Sequence, residues 1–172
     1  METWDAIRAR RNVRQYSDQP ISREDLDQIL EAGRRAPSAS NWQPWNFVVV
    51  TDREQLVELA KAWPRGGRHI AVSAATIALV AKHPEEDRQR DLLQYDLGQV
   101  TAYLMLAAAD LGVGSGHSAV SDQEQAQGVL GFPDGHFAAY LIGLGHPADR
   151  PLQPLARPDR RPFDDVVHRD RW

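Results

Sequence analysis

The sequence contains no cysteine. That absence excludes a disulfide framework, a thiolate metal centre and a cysteine nucleophile, so redox chemistry in this chain needs a borrowed cofactor. Positive charge is not in excess either. The formal net charge is -4, so no global field draws the chain to nucleic acid or to an anionic membrane, and any anion site has to be local. No apolar stretch reaches membrane-spanning length, and Met1-Glu2-Thr3-Trp4-Asp5 lacks the basic-then-apolar run of a signal peptide. The expectation is a soluble, cytoplasmic protein. The 6 histidines show no paired spacing on a helix and the carboxylates scatter over polar faces, which leaves no metal site to assign. Ser115 and Ser118 lack the sequence of a nucleophile elbow, which argues against a hydrolase. There is no internal repeat.

What is present suits one domain over residues 1–172, with 42% hydrophobic and 26% charged residues. Trp4, Ile7 and Arg8 lie at helical spacing, and a short first helix runs into Arg8, Arg10, Arg11 and Arg14. Ser22 followed by Asp25 predicts a capped helix with Leu26, Ile29 and Leu30 on its apolar stripe, ending near Gly33. Two prolines bound the loop from Pro37 to Pro44. Phe47-Val48-Val49-Val50 reads as a strand, with Thr51 or Asp52 capping a helix through Leu56, Leu59 and Ala60. After the interruption at Pro64 to Arg68, Ala75 to Val80 reads as a buried strand without alternation. A turn at His83-Pro84 leads to a helix from about Glu85 to Leu111. Its later half, Val100 to Ala109, is apolar almost all round, which predicts burial on every side. Gly112 to Gly116 reads as a C-cap and tight loop with His117 following in the loop, Ser121 and Glu124 as a second capping box, and Phe137 to Leu144 as another strand. Pro147, Pro151, Pro154, Pro158 and Pro162 rule out a helix in the tail. Its apolar residues Leu152, Leu155, Phe163, Val166, Val167 and Trp172 predict an extended arm, residues 146–172, docked on another surface.

Three constellations could carry chemistry. Arg10, Arg11 and Arg14, with Asn12 between them, offer planar charged forks suited to a phosphate dianion, although a lone cluster of this kind is more often a solvated basic helix face. Ser38, Ser40, Asn41 and Gln43 put hydroxyls and amides into one proline-bounded turn. That set suits a heteroaromatic edge, and it also suits a surface turn that satisfies its own backbone. Trp42 and Trp45 could stack on a ring or pack beside the strand. The glycines at 112–116 follow a helix and lack G-x-G-x-x-G spacing, so they are not a dinucleotide fingerprint.

Arg10-Arg11-Asn12-Val13-Arg14, Ala36-Pro37-Ser38-Ala39-Ser40-Asn41-Trp42-Gln43-Pro44-Trp45, Leu111-Gly112-Val113-Gly114-Ser115 and Arg160-Arg161-Pro162 occur in an order that resembles the nitroreductase family. The resemblance implies an α+β fold with a central, mostly antiparallel sheet wrapped by helices. It also implies an intertwined homodimer with FMN at the interface, the long apolar helix in the dimer core and the tail reaching across the partner. By the same resemblance Arg10, Arg11, Asn12 and Arg14 bind the FMN phosphate and ribityl chain, joined by Arg160 and Arg161. Ser38, Ser40, Asn41 and Gln43 contact flavin, with the serine-containing part donated by the other subunit; His117, Ser118 and Ala119 pass the reactive edge, and Arg68 is a further basic contact. Asn12 stands where the family more often has serine, and the short chain leaves little room for the extra helices that cover the flavin in larger relatives.

The implied activity is electron transfer from NAD(P)H through FMN to a nitroaromatic or quinone, with ping-pong kinetics and no catalytic side chain. A flavin-dependent dehydrogenase or dehalogenase of one metabolite, a non-enzymatic flavin-binding dimer, and a deazaflavin in place of FMN all remain open at the level of sequence.

Overall fold

The computed structural model describes residues 1–172. The elements run α1 (Thr3–Ala9), α2 (Arg23–Arg34), β1 (Trp45–Val50), α3 (Arg53–Ala60), α4 (Arg68–Ala71), β2 (Ala75–Lys82), α5 (Asp87–Asp110), β3 (Gly114–Ala119), α6 (Gln123–Leu130) and β4 (His136–Gly145). The 4 strands form one sheet in the order β1-β2-β4-β3, and every neighbouring pair is antiparallel. This is the α+β architecture that the resemblance implies.

Two apolar layers sandwich the sheet. Ile77, Leu79, Ala81, Ile142 and Leu144 face α2 and α5 through Ile29, Leu93, Leu97, Val100 and Leu104. Ala78, Val80, Ala138 and Leu141 face α3, α4 and α6 through Leu56, Leu59, Ile70 and Ala126. Since β2 is covered on both faces, its run of apolar residues needs no alternation. Caps set the helix starts. The Ser22 hydroxyl accepts from Asp25 N–H at 3.0 Å and the Asp52 carboxylate from Gln55 N–H at 2.8 Å.

Four expectations need correction. Val100 to Ala109 is not buried on every side within one chain: Val100, Leu104, Met105, Ala108 and Ala109 face the core, while Ala102 and Tyr103 are exposed. The segment from Gly114 is strand β3 rather than a tight loop, and His117 lies within it. Its glycines are needed for close approach, because a Cβ at Gly114 or Gly116 would run into Val13. The cap of α6 is Asp122, which accepts from Gln125 N–H at 2.9 Å, rather than Ser121. Finally, α4 forms where only an interruption was expected.

The tail forms one short 3-10 turn at Phe163–Asp165 and no α-helix. It is tethered near its start, where Tyr16 bridges Pro147, Arg11 pairs with Asp149 at 2.7 Å, and Leu155 N–H donates to the Arg8 carbonyl at 3.2 Å. No helix is long and apolar enough to cross a membrane.

Candidate functional site

The basic segment after α1 lies against the outer edge of β3. Val13 N–H donates to the Ser115 carbonyl at 2.8 Å, and Asn12 forms a parallel bridge with Ser115. Val13 is buried, which turns its neighbours Asn12 and Arg14 outward into solvent. The Tyr16 hydroxyl fastens this segment from beneath, donating toward the Val13 and Gly143 carbonyls at 2.8 and 3.0 Å. Burial pushes the Tyr16 pKa well above its usual value, so the phenol keeps its proton for this bond.

Within this edge the arginines are not equivalent. Arg11 is spent on the chain itself, pairing with Asp149 and donating to the Arg150 carbonyl at 2.8 Å. Arg10 and Arg14 meet no carboxylate. Arg10 only touches the Asn12 side-chain oxygen at 3.4 Å. Two free guanidinium groups beside exposed backbone are a fitting receptor for an anionic oxygen cluster.

His69, at the start of α4, closes the same corner. Its ring nitrogens lie 2.9 Å from the Gly66 carbonyl and 3.1 Å from the Gly116 carbonyl. Burial pushes its pKa down, against the pull of those two carbonyls, and a neutral ring donates to only one of them. This contact draws α4 onto β3 and sets the His69 ring within reach of the Arg14 charge, while Arg68, the preceding residue, is exposed. Along β3, His117 is exposed and Ala119 half-buried, whereas Ser118 is buried with a hydroxyl that finds no partner. An orphaned buried hydroxyl is a polar group waiting for a ligand or a water.

The second set of residues forms a tight turn before β1. Ser40, Asn41 and Gln43 adopt left-handed backbone at φ of 50, 57 and 51°. None is glycine, so the turn stores strain of the sort found at ligand contacts. Its fastening is largely internal: Gln43 N–H donates to the Ser38 hydroxyl at 2.8 Å, and the Gln43 amide to the Asn41 carbonyl at 3.1 Å. Asp96 of α5, absent from the sequence reading, holds the turn from outside. Its carboxylate accepts the Ala39 N–H at 3.1 and 3.2 Å. The signal was present in the sequence, since Asp96 shares the inward face of Leu93, Leu97 and Val100.

The two sets do not meet within one chain. The turn precedes Trp45, which is level with Ala81 and Phe137 at one end of the sheet, and β1 is an edge strand. Ser115 is level with Leu144 and Ala75 at the other end, and β3 is the opposite edge. Three lateral steps of about 4.8 Å and some six residues of about 3.3 Å put the halves on the order of 25 Å apart. The α5 helix gives a similar measure. Asp96 holds the turn and Asp110 pairs with the Met1 amino group that begins α1, and fourteen residues of helix span about 21 Å. Arg160 and Arg161 join neither half: both are exposed and donate only within the tail, to the Asp159 and Asp165 carbonyls.

A family model described as the nitroreductase family matches residues 7–65 and 62–146. A provisionally named NADH dehydrogenase/NAD(P)H nitroreductase of Archaeoglobus fulgidus is 35% identical over 170 residues, 96% of each chain. The FMN reductase (NAD(P)H) of Bacillus subtilis is 32% identical, over 94% of this chain and 71% of its own. Among solved structures, the NADPH:FMN oxidoreductase of Vibrio harveyi complexed with NAD+ superposes with a TM-score of 0.81 at 26% identity, covering 97% of this chain and 76% of that one. The class defined by these features is a flavin-dependent NAD(P)H oxidoreductase. Within it, the chain belongs to the nitroreductase family.

Proposed function

We propose that two copies of this chain hold FMN between them and pass electrons from NAD(P)H to a small electron-poor acceptor, a nitroaromatic or a quinone. One observation carries the reading. Each half-site is well formed, yet the halves occupy diagonal corners of one sheet. A two-fold pairing makes both sites at once, because each copy lends its turn to the other's β3 edge. The outer face of α5, with Leu92, Tyr95 and Tyr103 exposed at 37, 69 and 43%, is a surface suited to that pairing.

On this reading Arg10 and Arg14 grip the phosphate, Asn12 the ribityl chain, and Arg160 and Arg161 close over them from the tail. Arg11, as this chain uses it, holds the tail in place. Ser38, Ser40, Asn41 and Gln43 of the second copy meet the ring's polar edge. His117, Ser118 and Ala119 pass its reactive side, where the Ser118 hydroxyl gains the partner it lacks. When bound, FMN would supply the redox chemistry that links NAD(P)H to the acceptor. The chain binds and orients the reactants, and Arg68 and nearby backbone N–H groups favour negative charge on the ring. No side chain acts as acid or base, and the kinetics are ping-pong. The names of the Bacillus subtilis and Vibrio harveyi relatives, which carry FMN and NADPH or NAD(P)H, support the donor and the cofactor.

The test is the visible spectrum of the purified protein before and after anaerobic NADH or NADPH. Flavin bands that bleach, and that return on adding a nitroaromatic or quinone, are expected. A colourless protein that FMN cannot reconstitute would overturn the reading.

A further inference from the structure

We infer that Asp96 is a positioning residue: its buried carboxylate holds the turn from Ser38 to Gln43 in its working shape and ties that shape to the α5 face on which two copies meet. The inference rests on the FMN reading above for what the turn touches, and on the geometry of the chain for how the turn is held.

Asp96 is fully buried, at 0% exposure, on the face of α5 that also buries Leu93, Leu97 and Val100. A carboxylate in such surroundings is costly unless its oxygens are occupied. No cation pairs with it. Its donors are the Ala39 N–H, shared between both oxygens, and the Gln99 amide at 3.3 Å one turn along α5.

From the side of the turn the contact is singular. Asn41 N–H donates to the Ser38 carbonyl and Trp42 N–H to the Ala39 carbonyl, both at 3.0 Å, and the remaining bonds of residues 38–43 also stay inside the turn. The Ala39 to Asp96 bond is the only hydrogen bond from these residues to the rest of the chain. Three strained residues within a stretch of four persist only where their surroundings over-determine them. Asp96 is the group that does so from outside. It also stands next to Tyr95 and one turn from Leu92, both exposed on the outer face of α5. A shift or rotation of α5 on pairing therefore moves the anchor of the turn along with the interface.

The experiment compares wild type, Asp96→Asn and Asp96→Ala by three measurements. These are NMR hydrogen exchange of the Ala39 amide in flavin-free protein, FMN affinity by fluorescence titration, and the visible circular dichroism of bound FMN. Asparagine keeps one acceptor oxygen for Ala39 and alanine keeps none. In Asp96→Ala, Ala39 exchange should speed up and FMN affinity fall, each about tenfold or more, as expected for losing a hydrogen bond to a charged group. Asp96→Asn should recover part of both, and the flavin dichroism should change in the order wild type, Asn, Ala. Folded variants with a protected Ala39 amide and unchanged FMN affinity would overturn the inference. So would equal losses in both variants with unaltered flavin dichroism, which mark a structural role alone. If Asp96→Ala does not fold, faster Ala39 exchange in Asp96→Asn supports the inference and unchanged exchange overturns it. If wild type binds no FMN, the FMN reading fails, while the exchange of Ala39 still decides whether Asp96 holds the turn.

Discussion

Replacing Gly116 with alanine tests how the basic segment is seated on β3. An added Cβ would run into the Val13 carbonyl oxygen, with the His69 Cδ2 and Nε2 at 3.2 and 3.4 Å behind it. The Val13 carbonyl cannot retreat freely. It accepts from Tyr16, and the Val13 N–H is bonded to Ser115 in the same strand, each at 2.8 Å. Overpacking of a tight site costs about 1–3 kcal/mol, and a hydrogen bond stretched to breaking adds about 1 kcal/mol. The expected loss is then about 2–4 kcal/mol, which lowers the melting temperature of a chain of this size by roughly 5–15 °C. Because Asn12 and Arg14 flank Val13, FMN affinity should fall in the same variant. Thermal unfolding of flavin-free protein and fluorescence titration with FMN read the two effects separately. A useful contrast is Gly112→Ala, where φ is 73° and nothing lies within 4 Å. That change strains the backbone by about 1–2 kcal/mol and should leave FMN affinity alone. A Gly116→Ala protein with wild-type melting and wild-type FMN affinity would refute the seating of the segment on β3.

Three further outcomes follow from the packing. Gly128 is exposed within α6 with open space around it, so Gly128→Ala should raise stability by about 0.5–1 kcal/mol in urea unfolding. Leu104 is fully buried against Gly33, and Leu104→Ala should cost about 2–5 kcal/mol by the same assay. Burial holds the His69 pKa below its ordinary 6.5, so the folded chain binds fewer protons there than the unfolded chain. Stability from this group is therefore complete above pH 6.5 and declines as pH falls from that value toward the folded pKa; His69→Gln should flatten that part of the pH profile of unfolding.

The legible parts of the fold were those where burial and spacing coincide. Ala75 to Val80 reads as a fully buried strand because helices cover both its faces, and Ser22 and Asp52 mark helix starts through side-chain caps. β3 was hidden by its own composition. Gly114, Gly116 and the partner glycines Gly143 and Gly145 have poor strand propensity, and they are there because Val13, His69 and Tyr16 lie directly on the sheet. The helix α4 has only four residues, too few to show a period. Val100 to Ala109 reads as buried on every side because Ala102 and Tyr103 are apolar in type, whereas within one chain both face outward.

The site divides the same way. The basic segment and the turn are each contiguous in sequence, so the residue types alone suggested a phosphate and a ring edge. Their placement at opposite corners depends on strand order and register, which periodicity does not encode. Nor did sequence separate Arg11 from Arg10 and Arg14, since its partner Asp149 lies far along the chain. Asp96 does not stand out in the sequence because a single acid in a helix ordinarily faces water.

Mixed dimers test the two-copy site most directly. One copy carries Arg10→Ala and Arg14→Ala, the other Ser38→Ala, Asn41→Ala and Gln43→Ala, each with its own affinity tag, and the heterodimer is purified after co-expression. If each site joins the basic edge of one copy to the turn of the other, the heterodimer has one site with both halves altered and one with both intact. It should retain one FMN per dimer and about half the NAD(P)H-driven reduction of wild type, while each variant alone retains almost none. A heterodimer as poor in FMN as its parents would contradict the account, because it would place both halves of each site on the same chain.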